Sequence, residues 1–333
     1  MVPRPVLALY SLAHFWVDLS CALLLFGTLR GSPGFALALL LYNFCAFALQ
    51  MPLGLTADRL DRNGCLAAGG CCLVALAYLS PLPLLTAVAA GGGNALFHLG
   101  GGVDVLNGSG SRAAALGIFV SPGALGLCLG TLWGRGRAEA LWLGPAVLLA
   151  LAAAIWRLRR GPSGNPAADL AAPGGYATLV PLLLVVVLRS YMGLNQSFSW
   201  RSGWWGWCLT AALVLGKAAG GFLMDRLGPR RACAWSLGMA SALYLASALP
   251  LPGTLAVFLF NMTMPITLWA AARLLPGAKG FAFGFLTFGL FLGYLPSAMG
   301  WPNLLTGPAH YAGAAALSLA LLYPALGREA AAC

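Results

Sequence analysis

Twelve runs of about 20 mostly apolar residues, each the length a helix needs to cross a bilayer, follow one another along this chain. Inside hydrocarbon every backbone N–H and C=O needs an internal partner, so only helices or a closed barrel can span. These runs are too long and too uniformly apolar for barrel strands. Helices are therefore placed at 5–29, 34–57, 64–80, 82–104, 113–133 and 138–157, then at 177–199, 203–224, 231–249, 252–274, 280–299 and 306–326. The third and ninth are short and rich in glycine or alanine. Composition agrees: 60% of the 333 residues are apolar and only 8% are charged, against about a quarter charged in a soluble domain. Lipid is the solvent for most of such a surface. The first run is expected to stay in the protein, since it is too long for a signal peptide's apolar core and carries Asp18.

The net charge of +11 raises the question of nucleic acid, but no basic patch is interleaved with aromatics. The cations sit in short turns instead. With the N-terminus in the cytoplasm, the inner turns hold Arg4, Arg59, Arg62, Arg112, Arg157, Arg159, Arg160, Arg226, Arg230, Arg231, Arg273, Lys279 and Arg328. The outer turns hold Arg30, Arg135, Arg137 and Arg201. Thirteen cations against four is the asymmetry that sets orientation in a cell membrane, with both termini cytoplasmic. Of nine cysteines, most lie in or beside apolar runs and none forms a C-x-x-C pair, so they are expected as small packing residues.

Asp58-Arg59-Leu60 recurs as Asp225-Arg226-Leu227, 167 positions later. The same offset relates Gly54 to Gly221, Asn94 to Asn261, Arg112 to Lys279, Gly117 to Gly284 and Gly126 to Gly293. An acid–base pair, an intramembrane Asn and a turn cation keeping one register point to a duplicated unit. The expected domains are a six-helix bundle at 1–157, a Pro-, Gly- and Ser-containing cytoplasmic linker at 158–175, and a second bundle at 176–333. Two parallel six-helix halves form a known transporter plan, with the substrate near mid-membrane where the halves meet.

Gly54-Leu55-Thr56-Ala57-Asp58-Arg59-Leu60-Asp61-Arg62 and Gly221-Phe222-Leu223-Met224-Asp225-Arg226-Leu227-Gly228-Pro229-Arg230-Arg231 resemble the G-x-x-x-D-R-x-G-R-R turn of the major facilitator superfamily. The first copy has Asp61 at the family's second glycine, and the second inserts Pro229 before its basic pair. The resemblance implies an all-α membrane fold of twelve helices, secondary transport of a small molecule, no cofactor, and a monomer in the bilayer. It also implies that Gly54, Asp58, Arg59, Gly221, Asp225 and Arg226 act as a conformational latch. In that latch the Asp either pairs with an Arg or faces a helix N-terminus. A narrower resemblance joins His14-x-x-x-Asp18 and Gly91-Gly92-Gly93-Asn94-Ala95-Leu96-Phe97-His98 to the fosmidomycin-resistance branch. That branch ends the second stretch with F-H-P-E, and here Leu99 and Gly100 replace the last two residues.

Ionisable groups at bilayer depth cost on the order of 3 kcal/mol and are functional candidates by default. Asp18 lies about 20 Å into the first helix, with His14 one turn away on the same face. Arg189 lies about 18 Å into the seventh, and Lys217 about 12 Å from Asp225. Asp18 and His14 are expected to bind and release protons, and Arg189 and Lys217 to attract an anionic group on the substrate. The competing possibility is that these charges are structural pairs holding helices together. Asn43, Asn94, Asn195, Gln196 and Asn261, with His98, are candidate substrate-binding residues lining a cavity; Gln50 and Asn303 are similar polar neutrals. Their alternative is interhelical hydrogen bonding. The i, i+4 spacing of His14 and Asp18 suits two metal ligands, but no second local pair accompanies it, so no metal site is assigned. Trp200 to Trp207 reads as an interfacial aromatic belt. No H-E-x-x-H is present, and Asn107-Gly108-Ser109-Gly110 offers a serine without a placed base, so an enzyme is not expected. The expected function is proton-coupled export of a small anionic or amphiphilic solute. Uptake of a metabolite, metal ion or lipid-like substrate, or a sensor that kept the fold, are the alternatives.

Overall fold

A computed structural model describes residues 2–136, 143–166, 169 and 175–329. Arg137 falls outside the described residues, as do parts of the expected 138–157 helix and 158–175 linker, and the side chain of Arg328. Among the described residues there are no strands, and a helix occupies each of the expected positions. In chain order they are α1 (Arg4–Leu23), α2 (Phe35–Asn43), α3 (Gln50–Leu60), α4 (Asn63–Ala77), α5 (Pro83–Ser109), α6 (Ala114–Arg135) and α7 (Leu143–Arg159). They continue with α8 (Gly175–Asn195), α9 (Gly203–Leu227), α10 (Pro229–Leu245), α11 (Pro250–Asn261), α12 (Thr263–Leu274), α13 (Lys279–Ala298) and α14 (Pro308–Glu329). Prolines open α5, α10 and α11, where a missing N–H costs nothing.

Local chemistry explains where runs bend. Pro52 cannot donate to the carbonyl of Ala48, and the turn before it widens into a π-helical stretch at Phe44–Ala48 that joins α2 to α3. Pro265 likewise leaves the Asn261 carbonyl without its usual partner, and the run breaks there into α11 and α12. A second π-helical stretch, Leu24–Leu29, extends α1. With these joins counted, eight runs among the described residues are long and apolar enough to cross a membrane. They are Arg4–Leu29, Phe35–Leu60, Ala114–Arg135, Thr178–Asn195, Gly203–Leu227, Pro250–Leu274, Lys279–Ala298 and Pro308–Gly327. Leu76, Leu79, Trp204, Trp235, Leu245 and Leu304 are exposed, as side chains facing lipid would be. This is a multi-pass membrane protein.

The chain forms two compact units. Unit 1 comprises Met1–Gly110, Pro122–Ala168 and Gly277–Phe288, and unit 2 comprises Ser111–Ser121, Asp169–Pro276 and Gly289–Cys333. Each therefore takes residues from both halves of the sequence, and two of the boundaries, after Ser121 and after Phe288, fall within α6 and α13. Unit 1 buries Tyr10, Leu19, Phe97, Leu99, Leu148 and Ile155 in its core, and unit 2 buries Phe119, Leu179, Tyr244 and Tyr311. The glycine-rich composition of α4 and α5 has a packing cause. A Cβ on Gly93 would lie 2.8 Å from the Gly70 carbonyl oxygen, so the two backbones meet directly. That contact fixes the face of α5 on which Asn94 and His98 stand.

Candidate functional site

The two D-R turns are built alike. Asp58, near the end of α3, accepts hydrogen bonds from the backbone N–H of Gly280 (2.7 Å) and Phe281 (2.9 Å) at the start of α13. Asp225, near the end of α9, accepts from Ala113 (2.6 Å) and Ala114 (3.2 Å) at the start of α6. Each carboxylate thus faces a helix N-terminus, whose free N–H groups and dipole favour negative charge. Both pairs keep the 167-residue register, since Gly280 follows Ala113 by that interval. The glycines are required by closeness: a Cβ on Gly54 would lie 2.2 Å from the Gly280 oxygen, and one on Gly221 would lie 2.5 Å from the Ala113 oxygen. Arg59 and Arg226 are exposed.

The departures from the family turn also have local causes. Gly228 has φ of 79° and Pro229 then opens α10. Asp61, its repeat counterpart, also has a positive φ, 49°, but with ψ of 38° it lies in the left-handed helical region, which Asp tolerates better than most residues. Its carboxylate accepts from the backbone N–H of Ser163 (3.1 Å) and Asn165 (2.7 Å), anchoring the described part of the linker. Asn165 in turn accepts from Asn63 (2.8 Å) and Asn107 (2.6 Å), and Lys279 donates to Asn107 at 3.0 Å.

Unit 1 brings four predicted site residues together. His14 and Asp18 on α1 meet Asn94 and His98 on α5. His14 Nε2 is 3.2 Å from Asp18 Oδ2, and His98 Nε2 is 3.8 Å from Asp18 Oδ1 and 2.9 Å from His14 Nε2. Asn94 donates to Asp18 Oδ1 at 2.9 Å. His98 Nδ1 faces the Asn94 carbonyl at 2.9 Å; that oxygen only accepts, which places a proton on Nδ1. In neutral His98 the Nε2 lone pair then points at His14, and the short contact is made by a proton between the two rings. Three polar side chains thus meet in a cluster that is almost wholly buried. His14 keeps 5% of its side-chain surface, His98 13% and Asp18 19%.

Unit 2 holds Arg189 differently. It is buried on α8, and its Nη1 makes two long hydrogen bonds, 3.4 Å to Thr263 and 3.5 Å to Thr267 of α12. Those hydroxyls already donate to the Phe260 and Met264 carbonyls. Among the described residues no carboxylate lies within ion-pair distance of Arg189. Lys217 is half-buried on α9. The polar neutrals make mostly local bonds. Asn43 and Asn261 donate to the carbonyls of Leu39 and Val257 one turn back, and Asn195 donates to Tyr191 and to Ser297 at 2.9 Å. Gln196 accepts from Tyr244, Gln50 is buried and donates to Ala46, and Asn303 is exposed. His310 is also exposed.

Two features escaped the sequence. Asp104, in the fourth run, is buried and accepts two hydrogen bonds from Arg159, at 2.7 and 2.5 Å, and one from Tyr10 at 2.9 Å. The rule that singled out Asp18, an acid inside an apolar run, applies to Asp104 as well. Gly123 is the second. A Cβ there would lie 2.1 Å from His14 Nε2 and 2.4 Å from Asp18 Oδ2, so glycine leaves the histidine–aspartate cluster its space. Nothing in Ser121-Pro122-Gly123 announces that role.

No family model matches the sequence, and no curated protein does. Solved structures do match, over nearly the whole chain. FucP, a fucose:proton symporter of E. coli, solved in an outward conformation, superposes with a TM-score of 0.66 at 14% identity, covering 98% of each chain. The human organic anion transporter MFSD10 gives a TM-score of 0.65 at 18% identity, over 97% of this chain and 100% of that one. A bacterial homologue of the iron transporter ferroportin, in an outward-facing state, gives 0.63 at 14% identity, over 98% and 99%. The likeness to the fosmidomycin-resistance branch rests on the His14–Asp18 and Gly91–His98 stretches alone. With its helix succession, its repeat and its paired Asp-capped turns, this chain has the fold of the major facilitator superfamily transporters.

Proposed function

We propose that the protein is a secondary active transporter that moves a small anionic or amphiphilic solute by alternating access, coupled to protons. In this reading twelve helices cross the cell membrane in two six-helix bundles, with both termini cytoplasmic. The observation that carries it is the buried Arg189 guanidinium. A cation in that setting is unfavourable without a counter-charge, and two long bonds to threonine hydroxyls supply none. An anionic group on the substrate would. MFSD10, described as an organic anion transporter, lends support to the anion, and FucP, described as a proton symporter, to the coupling ion.

The histidine–aspartate cluster takes the proton, with Asp18 and His14 as its carriers. Asp58 and Asp225 act as latches. Each holds the first turn of a helix from the other half of the sequence, and a bond of this kind can be stronger in one access state than in the other. Export is the direction we propose, following the likeness to the fosmidomycin-resistance branch. The test of the substrate class is a thermal-shift screen of metabolites and drugs on the purified protein, repeated on Arg189→Ala. An anionic compound that stabilises the native protein and not the variant is the expected result. Hits that are neutral or cationic, or that survive in the variant, would overturn the assignment of Arg189.

A further inference from the structure

Three metal-binding side chains converge in unit 1 more closely than a proton site requires. His14, Asp18 and His98 each offer one ligand atom, and all of these lie within 4.8 Å of one another. His14 Nε2 stands 3.2 Å from Asp18 Oδ2 and 2.9 Å from His98 Nε2, and His98 Nε2 stands 3.8 Å from the other carboxylate oxygen, Oδ1. Tetrahedral coordination with bonds of about 2.0–2.1 Å sets neighbouring ligand atoms roughly 3.3–3.4 Å apart. That value falls inside the observed range, so small rotations of the rings and the carboxylate complete the geometry.

The ligand atoms of His14 and Asp18 take the space that a Cβ at position 123 would fill, so glycine there admits the cluster. A further observation points to a ligand. Asn94 Oδ1, beside the carboxylate, is buried and makes no hydrogen bond. A turn of that amide would present an oxygen donor where a water or a fourth ligand belongs. The supporting shell is in place as well: the Asn94 carbonyl holds His98 Nδ1–H and so turns Nε2 inward, which is how ligating histidines are oriented. The other titratable groups facing the cluster are the Cys21 thiol, near Asn94, and the Tyr42 hydroxyl bonded to that thiol.

We propose that His14, Asp18 and His98 form a binding site for a divalent transition-metal ion of the zinc class, which competes with the protons the cluster otherwise holds. Two imidazoles and one carboxylate suit such borderline ions, whereas magnesium and calcium prefer all-oxygen sites. The proposal shares its residues with the proton-coupling reading but rests on geometry, and its test involves no transport.

The test uses the full-length protein, free of any affinity tag, in detergent. Cobalt(II) is titrated and followed by visible absorption, with zinc as competitor and magnesium as control. A saturable d–d band from a nitrogen- and oxygen-ligated tetrahedral ion, displaced by zinc and untouched by magnesium, is expected. The band disappears in His98→Ala and Asp18→Asn and persists in His310→Ala. Asn94→Ala keeps all three ligands, and weakens binding by about 10–100-fold, the usual cost of losing a supporting group. Affinity falls about tenfold for each unit by which the pH is lowered, per proton displaced. Absence of saturable binding, a sulfur-to-cobalt charge-transfer band, or binding unchanged in His98→Ala would overturn the site. Proton-driven transport that survives such a result leaves the transport reading standing, and metal binding without pH-driven transport leaves this one standing.

Discussion

The buried charges of the two units are handled in opposite ways. In unit 1 they answer one another: Asp104 takes a two-pronged grip from Arg159 plus the Tyr10 hydroxyl, and Asp18 sits between two histidines. In unit 2, Arg189 lies among threonines, with its donors underused. The surrounding scaffold is nearly symmetric, down to matching carboxylate caps on α13 and α6. Duplication thus explains the frame and not the chemistry. A completed ion pair contributes to the fold, whereas an uncompensated cation costs stability until an anion arrives.

The contrast can be broken most forcefully at Arg159. Truncating it to Ala leaves the buried Asp104 carboxylate uncompensated and should cost about 3–5 kcal/mol. Thermal or denaturant unfolding in detergent measures this, and a loss near zero would remove Asp104–Arg159 from the structural column. The turns come next. Asp58→Ala removes a buried acceptor from two N–H groups of α13 and should cost about 1–2 kcal/mol. Asp225→Ala, at an exposed carboxylate, should cost less, and equal losses would mean that burial does not distinguish the two caps. The smallest change carries the opposite sign. Arg189→Leu should raise stability by about 1 kcal/mol, because it removes an unpaired buried charge. If this variant is instead destabilised as Arg159→Ala is, Arg189 is structural and the contrast between the units fails.

Much of this frame was legible in the residues. Apolar runs located the helices because lipid leaves the backbone no other spanning form. The Asp58 and Asp225 turns showed the repeat because an acid at a helix terminus has a fixed job. His14 and Asp18 were visible as an i, i+4 pair on one face. His98 joined them only in space, since no local spacing connects α1 to α5. Asp104 was readable by the same rule as Asp18, but Gly123 was not: its role depends on which atoms lie opposite the missing Cβ. The compact units were hidden too, because each draws on both halves of the sequence, which no linear boundary conveys.

The central claim is a division of labour, with the Asp18 cluster responding to protons and Arg189 holding an anion. It is tested most directly by flux of the anionic compound identified through Arg189, in liposomes carrying an imposed pH gradient. The wild-type protein should accumulate it with the gradient, and Asp18→Asn should retain exchange at equal pH while losing gradient-driven accumulation. Unchanged pH-driven accumulation by Asp18→Asn would contradict the account.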